Sequence, residues 1–270
     1  MSAAPDVLGV EETRVRAVRL PAGPVTVMEL GRVQTRRILR HPALLVSLVW
    51  VVLGLGFGFP DTPYEQYSVA TGMVIFMMGP ATFFATNLVA TSGRRSSADE
   101  WTPALPMPAV RRTAALLVAG VGLGAVALAI QLLLVAVAYD QPVLELRWTH
   151  VLSVPVAITG AAVLGVAVAR LLPWPGAPLL VMAAITVANI WASNNEVFLG
   201  LYVDFAQWTD NDAIPGMHPG SGAWHLVYLA AFVGLAAFGA VLRDVRRIWL
   251  PVLGGAACGA LVLVAGALQL

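Results

Sequence analysis

This sequence contains no lysine; all 16 of its basic residues are arginine. That excludes a lysine-bearing phosphate loop, a Schiff-base lysine and a lysine nucleophile on this chain. Cysteine is nearly absent. Cys258 stands alone in an apolar run, so no intrachain disulfide can form, and a buried inert thiol is expected. Charge is scarce, at 11% of residues against roughly 25% in soluble domains. So few charges cannot solvate a globule of 270 residues. A net charge of +1 gives no general attraction to nucleic acid, so no such partner is expected.

What is present is apolar. Hydrophobic residues make up 59% of the chain, and its mean hydropathy is +0.80. A crossing helix needs about 20 apolar residues. Seven runs approach or exceed that: Ala43–Phe59, Tyr67–Ala90, Thr113–Tyr139, Val151–Leu172, Gly176–Ser193, Trp224–Leu242 and Trp249–Leu270. The first and fifth are short. The last holds Pro251 and an unbroken string of small residues from Gly254 to Ala260, so it spans, re-enters or lies against the others. The expected fold is an all-α polytopic membrane protein. An N-terminal amphipathic interfacial helix precedes six transmembrane helices, or seven if Trp249–Leu270 also crosses.

Residues 1–24 lack the apolar core of a signal peptide. They mix Glu11 and Glu12 with Arg14, Arg16 and Arg19 before Pro21 and Pro24, and are expected to form a flexible cytoplasmic tail. The membrane domain then covers 25–270. It begins with a connecting helix at 25–41, where Glu29, Arg32, Arg36 and Arg40 recur at helical spacing and form one charged stripe. Val27, Leu30 and Ile38 lie off that stripe, with Val33 beside them. Such a helix suits the headgroup layer, and Pro42 ends it. The other reading is a simple cytoplasmic extension of the first span.

Arginine sets the orientation. Arg32, Arg36, Arg37 and Arg40 precede the first run; Arg94, Arg95, Arg111 and Arg112 lie between the second and third. Arg170 ends the fourth, and Arg243, Arg246 and Arg247 follow the sixth. The intervening connections carry Asp61, Glu65, Asp140, Glu145, Glu196, Asp204, Asp210 and Asp212, with Arg147 the exception. The alternation predicts a multi-pass protein with its N-terminus in the cytoplasm; the plasma membrane is the expected location and membrane lipid the expected surroundings.

Within the runs no Asp, Glu, Lys, Arg or His occurs except Arg170 and His225, and both lie near ends. Proton relays and general acid/base sites need titratable side chains inside, so neither a proton-coupled carrier nor an intramembrane acid/base enzyme is expected. Ser47, Asn87, Gln131, Thr159, Thr186 and Asn189 are the polar points. They act as interhelical hydrogen bonds, or, for Asn87, Gln131 and Asn189, as points in a pathway. Gly54, Gly56 and Gly58, and Gly120 with Gly124, permit close helix contact.

The segment 92–112, SGRRSSADEWTPALPMPAVRR, is the most informative. It has paired arginines at both ends, Arg94 with Arg95 and Arg111 with Arg112. Ser97 and Glu100 have capping-box spacing, and Asp99 and Glu100 suit a helix N-terminus. Trp101 offers one large apolar side chain before Pro103, Pro106 and Pro108 close the segment. By itself this is a capped, charged loop.

The segment resembles the intracellular loop of ABC-2-type permeases, the membrane half of ATP-driven exporters. In that family a glutamate precedes a proline by six positions, as Glu100 precedes Pro106 here. Met107 stands at the usual branched apolar position, Pro108 replaces a serine and Thr102 replaces a leucine. The helix at Val25–Arg40 and the long connection at 194–223 also fit the family. The resemblance implies a transport subunit without its own ATPase motif and with no cofactor. A separate ABC ATPase subunit would bind ATP and Mg and dock on Arg94, Arg95, Ser97, Asp99, Glu100, Trp101, Pro106, Arg111 and Arg112. A second permease chain, in a homo- or heterodimer, would complete the substrate path.

Two other readings stay open. One is an integral membrane enzyme for lipid-linked substrates, built on Asp210-Asn211-Asp212 outside. The other is a non-transporting anchor or regulatory subunit. His218 and His225 flank a Gly/Pro-rich stretch near Asp204, but their spacing is not a metal-ligand pattern, and no metal is expected.

Overall fold

A computed structural model describes residues 26–54, 63–95, 107–138, 148–194, 207–209, 217–219 and 221–268. These form an all-helical polytopic membrane fold. In order come α1 (Val27–Leu39), α2 (Pro42–Gly54), α3 (Pro63–Ala90), the single turn α4 (Ser92–Arg95), α5 (Ala109–Ala138), α6 (Trp148–Leu171), α7 (Ala177–Asn194), α8 (Gly222–Leu242) and α9 (Trp249–Leu268). Two three-residue strands, Gln207–Thr209 and Met217–Pro219, pair in parallel between α7 and α8.

Five helices (α3, α5, α6, α8 and α9) are long and apolar enough to cross a bilayer. A sixth candidate is α1 with α2, taken together as a pair bent by 63°. The bend sets α1 at an angle to α2. The Ile38 carbonyl accepts from the His41 amide, and His41 Nδ1 accepts from the Ala43 amide, so the corner is hydrogen-bonded on both sides. The fifth run forms α7, whose apolar part, Ala177–Ala188, is shorter than a full crossing. The last run is an unbroken 20-residue helix despite Pro251, which sits in its first turn, where proline lacks no needed amide.

The bundle is apolar on its outside as well as in its core. Val137, Leu179 and Leu263 are 73%, 66% and 76% exposed, as lipid-facing side chains are. At the centre stands α6, which packs on α3, α5 and α8. Its core positions include Val154, Ile158, Ala162 and Val166. Small residues bring the helices together. A Cβ on Gly124 would lie 2.6 Å from the Pro155 carbonyl oxygen of α6. One on Gly165 would lie 2.5 Å from the Phe83 carbonyl oxygen of α3. By contrast α9 touches the bundle through α8 as an antiparallel partner, with Gly254 under Phe238 and Gly266 under Tyr228.

Three hydrogen bonds fix which helix ends lie together. Arg243, just past α8, donates from Nη1 to the Arg170 carbonyl near the end of α6, at 2.9 Å. The Thr113 hydroxyl, at the start of α5, donates to Asp244. Arg37 of α1 donates from Nη2 to Ser92 Oγ, just past α3, at 3.3 Å. One end of the molecule therefore gathers α1 and the segments that carry Arg94, Arg95, Arg111, Arg112, Arg170, Arg243, Arg246 and Arg247. Since α6 and α8 both run toward this basic end, the chain between them must return, and α7 carries the first part of that return.

Candidate coupling face at the basic end

The first helix is fixed by a reciprocal cap. The Glu29 amide donates to Thr26 Oγ1 at 3.1 Å, and the Thr26 amide donates to Glu29 Oε2 at 2.9 Å. The Thr26 amide, followed by its hydroxyl, holds the Glu29 carboxyl below the usual carboxylate range. Arg36 and Arg37 lie in the last turn, where cations suit the helix dipole. The sequence reading placed a capping box at Ser97–Glu100 and missed this one, although Thr26 and Glu29 have the same spacing.

The stripe of Glu29, Arg32, Arg36 and Arg40 is exposed. The opposite side of α1 rests on α5. A Cβ on Gly31 would lie 2.6 Å from Val118 Cγ1 and 3.3 Å from the Ala115 carbonyl oxygen. Thr35 Oγ1 donates to the Gly31 carbonyl at 3.0 Å and reaches the Ala119 carbonyl at 3.5 Å. The buried side is thus Gly31, Thr35 and Ile38, while Val33 is 57% exposed. The sequence pattern puts Val27, Leu30 and Ile38 off the charged stripe, with Val33 beside them. Close packing on another helix instead uses a glycine and a threonine, which periodicity of apolar residues does not register.

Of the loop residues, Arg94 and Arg95 belong to α4, while Ser97, Asp99, Glu100, Trp101 and Pro106 lie outside the described residues. Arg111 is exposed and Arg112 half-buried at the start of α5. Ser92, at one end of the loop, thus meets α1 through Arg37, and Ala115 and Ala119, beyond its other end, meet Gly31 and Thr35. Arg37 and Arg243 stand in the sequence only as markers of orientation, and Thr113 and Asp244 carry no local signal. Their pairings span helices distant in the chain, and no local spacing encodes them.

The polar points within the bundle do not converge. Asn87 donates from Nδ2 to the Gly165 carbonyl of α6 at 3.1 Å. Gln131 of α5 donates from Nε2 to Thr71 Oγ1 of α3 at 3.3 Å. Thr71 and Asn87 are separated by 16 positions of the same helix, roughly 24 Å at 1.5 Å per residue. Each pair joins helices at its own depth. Asn189 lies on α7. Ser47 and Thr186 bond within their own helices, to the carbonyls of Leu44 and Met182.

At the far end, His225 is buried and stacks on Tyr228 at a ring distance of 6.2 Å. Tyr228 meets Phe232 edge-on at 4.8 Å. Asp204, Asp210 and Asp212 lie outside the described residues. Among the described residues no group of three or more His, Cys, Asp or Glu side chains is placed to hold a metal. No protein-family model, curated protein or solved structure matches this chain.

Proposed function

We propose that this chain is the membrane subunit of an ATP-driven exporter of the ABC-2 type, working in the plasma membrane with its N-terminus in the cytoplasm. A second permease chain completes the pathway, and a separate ATPase binds ATP with magnesium and moves the pair. One observation carries this reading. The arginine-faced helix α1 holds Ser92, where the segment 92–112 begins, and packs on Ala115–Ala119 of α5, shortly after it ends; the segment has the family's Glu100–Pro106 spacing.

The mechanical argument follows from that placement. A subunit pressing on the loop also presses on α1, because Arg37 holds Ser92 and Thr35 holds the early turns of α5. Its movement passes into α3 and α5 together. Those helices bracket α6, so inward- and outward-facing arrangements of the bundle are the two states that coupling requires. The exposed guanidiniums of Arg32, Arg36 and Arg40 suit an acidic partner surface or anionic headgroups.

The test is co-expression with a candidate ATPase subunit, purification in mild detergent, and reconstitution in lipid. The complex is expected to hydrolyse ATP, and Glu100→Ala to weaken assembly or stimulation. If tagged chain never retrieves an ATPase, the transport reading fails.

A further inference from the structure

The helices α6, α7 and α8 leave a gap among themselves. It is a cavity of about 610 Å³ whose lining side chains are all apolar, among them Leu164 and Val168 of α6, Val181 and Ile185 of α7, and Phe232 and Gly239 of α8. Volumes of about 300–1,000 Å³ hold small-molecule ligands. Protein interiors are otherwise close-packed, and an empty gap forfeits dispersion contacts along its whole wall. In a bilayer the natural filler is a lipid tail, since the surrounding solvent is itself hydrocarbon.

Two further features lie at the basic end of the gap. A second cavity, about 310 Å³, opens between α3 and the α6–α7 connection. Leu172 lines both, and the smaller one adds the polar side chains of Asn87 and Thr91 beside Trp174. The Arg243 guanidinium is anchored here through Nη1 on the Arg170 carbonyl, one residue before the wall residue Leu171, and is exposed. An apolar slot with amide and hydroxyl side chains near one end, and an exposed arginine held next to its wall, fits a phospholipid with an anionic headgroup. Basic pockets between transmembrane helices recognise such headgroups, and guanidinium pairs well with phosphate.

We propose that the α6–α7–α8 crevice is a binding site for an anionic phospholipid, with an acyl chain between the helices and the headgroup beside Arg243. The inference does not depend on the transport reading. The bound lipid would brace α7, which has few contacts of its own with the rest of the bundle.

The test uses the full chain in phosphatidylcholine vesicles carrying a trace of phosphatidylglycerol with a photoreactive acyl chain. After illumination, peptides containing Val181–Ile185 and Phe232–Gly239 are expected to be labelled several-fold more than the lipid-facing peptide around Leu263. Photoreactive phosphatidylcholine should label the crevice less. Arg243→Gln should abolish that difference and Arg243→Lys should keep it, which a purely structural role for Arg243 would not produce. Filling the crevice with Gly239→Leu, or with Ile185→Trp should Gly239→Leu misfold, should remove the excess labelling. Labelling no greater than at Leu263, or equal for both headgroups, overturns the proposal. So does oxidative joining of two copies through cysteines placed at Ile185 without labelling, because a second chain would then fill the crevice.

Discussion

Thr113 and Asp244 stand 131 positions apart, yet the Thr113 hydroxyl donates to the Asp244 carboxylate. The bond ties the first turn of α5 to the turn after α8. Thr113 is fully buried, so its hydroxyl has no water to fall back on. A hydrogen bond to a charged group is worth about 1.5–3 kcal/mol net. Thr113→Val and Asp244→Asn should each destabilise the detergent-solubilised protein, Thr113→Val by an amount in that range. The double variant should cost less than the sum, measured by thermal unfolding. Additive losses would mean that the two side chains do not act on one another.

The junction of α5 with α6 gives a graded prediction. Gly124 faces the Pro155 carbonyl oxygen at 2.6 Å, which is backbone and cannot swing aside. Gly120 faces the Ala162 methyl at 3.2 Å. Overpacking a tight core costs about 1–3 kcal/mol. Gly124→Ala should fall in that range, and Gly120→Ala should cost distinctly less. If both behave alike in unfolding assays, the two helices have room to separate.

The cap of α1 is pH-dependent in a direction that its hydrogen bonds fix. The Glu29 carboxyl is held below its usual value by the Thr26 amide and hydroxyl. A lowered acid stabilises the capped form above its ordinary pKa of 4.5, and that contribution is lost as pH falls through the lowered value. Amide exchange at Glu29 and Leu30, corrected for intrinsic rate, should therefore accelerate in acid below pH 4.5. In Glu29→Gln the same amides should show no such acid step. A wild-type profile as flat as the variant's would sink the cap.

Much of this architecture was legible from residue type alone, because lipid-facing helices must be apolar along their length. The run Thr113–Tyr139 became α5, Ala109–Ala138, and Val151–Leu172 became α6, Trp148–Leu171. The arginines marked helix ends that the hydrogen bonds of Arg37 and Arg243 bring together. Less legible was anything that depends on distant pairing. Asp244 stands among Arg243, Arg246 and Arg247 with no local sign of a partner, and Thr113 is simply the first residue of an apolar run. Thr35 and Gly31 carried no apolar signal, although they form the seat of α1. The segment 92–112 is known only as a motif of the sequence, since Glu100 and its neighbours lie outside the described residues.

Sidedness is the remaining consequence, and the chain's single cysteine makes it measurable. Cys258 lies against Gly234, where a smaller side chain fits, so Cys258→Ala should give a folded background free of thiols. The gathered arginines predict that one end faces the cytoplasm. Single cysteines at Arg36 and Arg246 should then resist a membrane-impermeant maleimide in intact cells and react after permeabilisation. Cysteines at Asp210, in the long connection, and at Ala267, near the end of α9, should react without permeabilisation. The Ala267 result decides the last helix, because α9 runs antiparallel to α8 and so ends away from the basic end. Protection at Ala267 with labelling at Asp210 would mean that α9 does not cross. Labelling at Arg36 in intact cells would reverse the orientation and remove the loop 92–112 from any cytoplasmic ATPase.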